Sequence, residues 1–177
     1  MAPDAACLLA CGVPTGVGAA VNTACIRPGE NVVVIGAGGV GLNAIQGAYI
    51  AGAAKIVAMD LEPSKLEDAK GFGATPAHDV ALELCAPKGT VYAVGMPHSG
   101  DTSGYEPVII SATGQGMCGS LMGEVVLKRD IPWMVELYGQ GRLKLDELVT
   151  GRWSLAQINE AIADTKAGKA RRNVIAF

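Results

Sequence analysis

Apolar residues fall along the chain in short blocks that change period at glycine- and proline-rich breaks. The small, apolar stretch 15–25 has the composition of a closely packed helix, and Arg27, Pro28, Gly29 and Glu30 break it as a turn. Asn31–Ile35 (NVVVI) is a β-branched run without polar alternation, as expected of a strand buried on both faces of a parallel sheet. A helix over 39–52 and a second buried strand, Lys55–Met59, complete a βαβ unit that closes on Asp60. Pro63–Gly71 has Pro near its start and Gly at its end and reads as a short solvent-facing helix.

Beyond this unit the pattern loosens. A weak strand is expected near 77–80, a helical turn or two over 81–85, and a third clear strand over 90–94. The polar stretch 98–106 is expected to be the most mobile loop. Residues 108–110 and 117–121 look strand-like, and Asp130 is placed to cap a helix running to Tyr138 with Pro132 in its first turn. Ser154 and Gln157 match a capping box, with Leu155, Ile158 and Ile162 at helical spacing and Gly168 at the exit, so 155–167 is predicted helical. A final strand covers 173–177.

Chemistry enters at the turn after the first strand. Gly36, Gly38 and Gly41, with Gly39 and Val40 between them, spell G-x-G-x-x-G, a pattern that a chain with 24 glycines produces easily by chance. Its setting makes it specific: the motif leaves a buried strand, opens a helix, and is followed 19 positions after Gly41 by Asp60 at the end of the next strand. Gly36 permits the tight turn, Gly38 lets the backbone approach a pyrophosphate, and Gly41 lets helix and strand pack closely. Free N–H groups and the helix dipole then face the phosphate charge. Asp60 suits ribose hydroxyls and opposes a 2′-phosphate, which favours NAD over NADP, although Lys65 is a cation that serves either. The alternative is a bare turn with Asp60 capping the next segment.

Composition narrows the partners. Half of the 177 residues are hydrophobic and 18% charged, enough apolar surface for one core. A net charge of -3 without a basic run argues against nucleic acid and anionic membranes, and no apolar run reaches the roughly 18 to 20 residues of a membrane span. Met1 to Asp4 lacks the basic start of a signal peptide, so the expected location is cytoplasmic. The cysteines (Cys7, Cys11, Cys25, Cys85, Cys118) are odd in number and form no C-x-x-C pair, so reduced thiols are expected. Lys166, Lys169, Arg171 and Arg172 complement a helix C-terminus.

On these segments the chain resembles zinc-dependent medium-chain alcohol dehydrogenases. Residues 7–18 (CLLACGVPTGVG) are similar to the segment supplying a catalytic zinc cysteine, matched by Cys11, and a threonine beside the nicotinamide, matched by Thr15. The resemblance places Gly36, Gly38, Gly39, Val40, Gly41, Asp60 and Lys65 on the adenosine and phosphate side, and Val94 and Met96 at the strand end beneath the nicotinamide. Ser120 and Met122 match the backbone strip that holds the carboxamide, and Arg172 matches a pyrophosphate-binding arginine.

The resemblance implies an α/β fold, a Rossmann-like doubly wound parallel sheet, with residues 1–150 as the NAD-binding domain and 151–177 as a C-terminal helix and strand of the catalytic domain. It implies hydride transfer from a small alcohol to NAD with zinc as Lewis acid. Two departures qualify this. Everything the family places before Cys7, including its other zinc ligands, is absent; His78 and His98 do not match ligand positions, and Cys11 alone reads more readily as a small buried hydrophobe. Near Val80 and Ala81 one helix–strand unit is excised, so the sheet is expected to be about one strand short, with 90–94 free to move beside Asn31–Ile35. The expectation is therefore the cofactor part of an NAD- and zinc-dependent enzyme, inactive alone and not itself holding zinc, the alternatives being a non-catalytic NAD-binding module or an inactive deletion fragment. The family resemblance also implies a homodimer through 107–122.

Overall fold

The computed structural model describes residues 1–74, 85–96, 99–100, 106–168 and 170–177. The chain opens with α1 (Pro3–Ala6), a 3-10 turn (Cys7–Ala10) and α2 (Gly12–Gly18), which continues into a π-helical turn (Ala19–Thr23). Strand β1 (Asn31–Ile35), helix α3 (Gly39–Ile50) and strand β2 (Lys55–Met59) form the predicted βαβ unit. The strands pair in parallel, with Asn31 opposite Lys55 and Ile35 opposite Met59. Helix α4 (Pro63–Gly71) follows, then β3 (Thr90–Ala93), α5 (Pro107–Thr113), β4 (Gly116–Gly119) and α6 (Leu127–Gly139). The chain closes with β5 (Val149–Ser154), α7 (Ile158–Lys166) and β6 (Arg172–Ala176). Strands β3 and β4 pair in parallel, as do β5 and β6.

The core lies between α2, α3 and the segment that follows α6. Val13 and Val17 of α2 meet Leu42 and Ile45 of α3, all fully buried. The two helices approach closely because Gly16 is at the crossing: a β-carbon there would overlap the Val40 carbonyl oxygen. Met134, Leu137, Leu143, Leu145 and Leu148 seal the other side of α3. Gln46 of α3, itself buried, binds this last segment at two points: its Nε2 donates to the Lys144 carbonyl at 3.0 Å and its Oε1 accepts the Lys144 N–H at 2.6 Å.

Several expectations need correction. Strand β1 is not buried on both faces: Val33 is 39% exposed and Ile35 62%. Strand 90–94 has not moved beside it; among the described residues β3 pairs with β4 alone, and β1 with β2 alone. Among the described residues the strands thus form separate two-stranded sheets. Residues 108–110 are helical: Pro107 occupies the first turn and Gly114, with φ +68°, ends α5 in the left-handed region, start and stop signals that outrank three apolar residues. Asp130 does not cap α6 from outside but lies in its first turn, where its Oδ2 accepts the Val126 N–H at 2.8 Å, as the acid of a capping box does.

Helix α1, the 3-10 turn after it and strand β5 were not anticipated, since β5 (VTGRWS) carries a central glycine and little apolar alternation. The capping pattern at Ser154 holds, with Gln157 Oε1 accepting from the Ser154 N–H at 3.3 Å and Oγ at 3.0 Å. The weak strand at 77–80, most of the turn at 81–85, His78, His98, Lys169 and most of the loop 98–106 lie outside the described residues. Among the described residues no single helix is long and apolar enough to cross a membrane.

Candidate cofactor site

Strand β1 runs directly into the glycine loop. Gly36 has φ +88°, a conformation side chains rarely adopt, and its N–H donates to the Met59 carbonyl at 2.7 Å, tying the loop to the end of β2. Gly38 caps α3, whose first turn is Gly39, Val40 and Gly41. A β-carbon on Gly41 would overlap the Gly36 carbonyl oxygen, whereas one on Gly38 would meet nothing within 4 Å. The loop is thus packed tight beneath and open above.

Asp60, at the end of β2, holds the loop from the side. Its Oδ2 accepts the Ala37 N–H at 2.8 Å and its Oδ1 the Glu62 N–H at 3.0 Å, with Lys65 Nζ 3.8 Å from Oδ1. An ionised carboxylate has about four acceptor positions, so capacity for ribose hydroxyls remains. Beside it lies a recess of about 300 Å³ bordered by Gly38, Ser64, Lys65, Asp68, Gly168 and Arg171, with Arg171 paired to Asp68 at 2.6 Å.

Arg172 is the most informative residue. It starts β6, and its guanidinium lies against Gly12 and Gly39, where added β-carbons would collide with it. Its described hydrogen bond is to the Arg171 carbonyl at 3.0 Å, and none of the ion pairs among the described residues gives it a carboxylate. Burial lowers its pKa from the ordinary guanidinium value. A half-buried cation at the N-terminus of a helix is opposed by the dipole as well as by partial desolvation. The arrangement becomes favourable when an anion sits between Arg172 and the first N–H groups of α3.

The other side of the site is built on α2. Thr15 is buried, with its Oγ1 lacking a hydrogen-bond partner. Ser120, after β4, extends the ladder by donating its N–H to the Ala93 carbonyl at 2.9 Å, and its Oγ shares a hydrogen bond of 2.8 Å with Thr23 Oγ1. Met122, Gly123 and Glu124 are all left-handed, with φ of +51°, +69° and +50°. A non-glycine residue in this region costs about 1–2 kcal/mol, so the strip is held in place by its surroundings. Gly123 packs on α2, where a β-carbon would stand 2.7 Å from the Thr15 carbonyl oxygen. Val94 is half-buried just after β3, and Met96 is 98% exposed.

The structure therefore joins the glycine loop, Asp60, Lys65 and Arg172 by direct contacts and sets Thr15 beside the Met122–Gly123 strip. Sequence reading missed Asn22 and Asp130, which bind that strip. Asn22 Nδ2 donates to the Gly123 carbonyl at 3.3 Å and to Asp130 Oδ2 at 3.2 Å. The Arg129 guanidinium beside Asp130 holds its carboxyl below the usual carboxylate range, against the opposing effect of burial. The signal was slight: Asn22 is one polar residue in an otherwise small, apolar helix, and Asp130 looked like an end cap.

The metal side is different. Cys11 is exposed at the break between the 3-10 turn and α2, not a buried hydrophobe, because its extended φ of −149° turns it out of the helix. Among the described residues no three of His, Cys, Asp and Glu gather to hold a metal. One thiol does not fit a catalytic zinc, which takes three protein ligands. None of the five cysteines forms a disulfide.

A family profile described as alanine dehydrogenase/PNT, C-terminal domain, matches residues 7–90. The class-3 alcohol dehydrogenase of Pisum sativum is 33% identical over 208 residues, spanning 98% of this chain and 55% of the relative. Alcohol dehydrogenase B of Mycobacterium tuberculosis is 32% identical over 210 residues, spanning 98% of this chain and 56% of the relative. An alcohol dehydrogenase zinc-binding domain protein from Burkholderia ambifaria superposes with a TM-score of 0.88 at 31% identity, covering 96% of this chain and 54% of that one. Benzyl alcohol dehydrogenase from Acinetobacter calcoaceticus gives 0.85 at 30% identity, with 94% and 55% covered. The chain spans about 55% of the length of the curated relatives it matches, and over nearly its whole length it is similar to the Rossmann-like cofactor-binding part of zinc-type alcohol dehydrogenases.

Proposed function

We propose that this chain binds NAD and is the cofactor-binding part of an NAD- and zinc-dependent alcohol dehydrogenase that converts a small alcohol to an aldehyde or ketone. The observation that carries this reading is Arg172, a half-buried guanidinium that has no carboxylate among the described residues and lies at the N-terminus of α3. Arg172 and the loop of Gly36, Gly38, Gly39, Val40 and Gly41 would hold the pyrophosphate, and Asp60, with Lys65 beside it, would hold the adenosine ribose. Thr15, Val94, Met96, Ser120 and Met122 serve the nicotinamide side. Residues 1–150 form the binding domain and 151–177 belong to the edge of the catalytic domain, from which Arg172 reaches back.

When bound, NAD supplies a hydride acceptor. This chain's residues bind and orient it: the loop amides and Arg172 neutralise phosphate charge, Asp60 selects an unphosphorylated ribose, and α2 with the Ser120–Met122 strip walls the nicotinamide. With Cys11 as its one matching zinc residue, the chain alone does not turn over alcohol. We place it in the cytoplasm.

The test is thermal and calorimetric titration. Millimolar NAD raises the melting temperature, NADP does so less, and Asp60→Ala weakens NAD binding about tenfold or more, the loss expected for hydrogen bonds to a charged acceptor. A melting temperature unmoved by NAD overturns the reading.

The same reading makes the chain a homodimer through 107–122, supported by the exposure of Val108 (68%), Ile109 (50%), Met117 (63%) and Leu121 (80%). Light scattering after gel filtration is expected to give a dimer that Met117→Lys converts to monomer. A wild-type monomer at micromolar concentrations removes the dimer.

A further inference from the structure

Three consecutive left-handed residues form the strip that the NAD reading sets against the nicotinamide, and Gly123 is the one glycine among them. What holds them comes from two directions. The turn Ala19–Thr23 at the end of α2 is π-helical, and its last two residues, Asn22 and Thr23, both engage the strip. Thr23 Oγ1 meets Ser120 Oγ at 2.8 Å, and Asn22 Nδ2 donates to the Gly123 carbonyl at 3.3 Å. From the far side, buried Asp130 reaches both segments through Oδ2, which accepts Asn22 Nδ2 at 3.2 Å and the Val126 N–H at 2.8 Å, fixing the chain just beyond Glu124. The Arg129 guanidinium spans both carboxylate oxygens, with Nε on Oδ1 and Nη2 on Oδ2 at 2.9 Å. The strip is therefore pinned at Ser120, at Gly123 and at Val126.

A widened helical turn is rare and frequently found at functional sites, and here it delivers the two side chains that reach the strip. We propose that Asn22 and Asp130 are positioning residues for the nicotinamide half of the site, acting through the left-handed backbone of Met122–Glu124 without touching the cofactor. This inference rests on the NAD reading. It separates the two halves of the dinucleotide, because neither residue contacts the glycine loop, Asp60 or Arg172 in any described hydrogen bond or ion pair.

The experiment compares NAD with ADP-ribose, which keeps the adenosine and pyrophosphate but lacks the nicotinamide, by calorimetry on the full chain. Asn22→Ala is expected to raise the Kd for NAD about tenfold while leaving that for ADP-ribose unchanged, so the ratio of the two constants moves. Asp130→Asn keeps an acceptor oxygen for Val126 and Asn22, and is expected to shift the same ratio less. Unchanged ADP-ribose binding also shows that the variants fold. Parallel losses for both ligands, or a ratio that stays put in both variants, overturn the positioning role while leaving the NAD reading intact. A wild-type chain that binds neither ligand overturns the NAD reading and this inference with it.

Discussion

Gly41→Ala is expected to lower the stability of the chain and to abolish its stabilisation by NAD, whereas Gly38→Ala abolishes the NAD effect alone. The added β-carbon at Gly41 overlaps the Gly36 carbonyl oxygen, and that oxygen has nowhere to go. Gly36 is anchored to Met59 by its own N–H, and the next peptide is anchored to Asp60 through Ala37. Relief comes only from lifting the start of α3 off β1, an overpacking of the kind that costs about 1–3 kcal/mol. That movement also withdraws the helix N-terminus from Arg172.

At Gly38 the free chain has room for a methyl group. On the NAD reading it takes the space through which a pyrophosphate would reach the backbone, so the apo melting temperature is expected to stay near wild type and the NAD-induced shift to disappear. Thermal melts of both variants with and without NAD check the pair. A Gly38→Ala chain with a full NAD shift shows that the pyrophosphate does not pass over this loop.

The parts legible in the sequence are those whose causes are local. Asn31–Ile35, Lys55–Met59 and the glycine loop between them depend on β-branched runs and glycine geometry within one βαβ unit, and the structure reproduces them as a parallel pair. The ends of α5 were written in Pro107 and Gly114, but three apolar residues between them match either period. The parts that were not legible depend on distant partners. Exposure of Val33 and Ile35 follows from the absence, among the described residues, of a strand beside β1, which no property of the segment itself reveals. Asn22 and Asp130 are separated by 108 positions, and their hydrogen bond exists only because α2 and the start of α6 converge.

Arg172 shows the same division within one residue. Its number was matched by resemblance, and in sequence it also reads as one of several cations at the end of a helix. Only the fold distinguishes it from its neighbour: Arg171 pairs with Asp68, while Arg172 turns toward Gly39 and has no carboxylate partner among the described residues. The site is thus assembled from both ends of the chain, and whatever fixes β6 relative to α3 fixes the charge at the phosphate loop.

Gln46 is the residue on which that placement turns, and Gln46→Leu is expected to cost about 1–3 kcal/mol, from two part-buried backbone groups left without their protein partner. Leucine matches glutamine closely in size and helix propensity, so neither packing volume nor α3 itself accounts for the loss. The Lys144 N–H and carbonyl lie between the buried Leu143 and Leu145 in a segment without a strand partner, and the Gln46 amide supplies both bonds a strand would have supplied. From there the chain passes through Leu148 into β5, and β5 pairs with β6 from Val149 opposite Arg172 onward. Loosening Lys144 therefore loosens the strand pair that carries Arg172 to the other end of α3. Urea denaturation is expected to show a lower midpoint with an unchanged slope, and calorimetry a weaker affinity for NAD in the fraction that remains folded. A loss below about 1 kcal/mol shows that the leucines alone hold the segment, since it is then smaller than the cost of even one unpaired group.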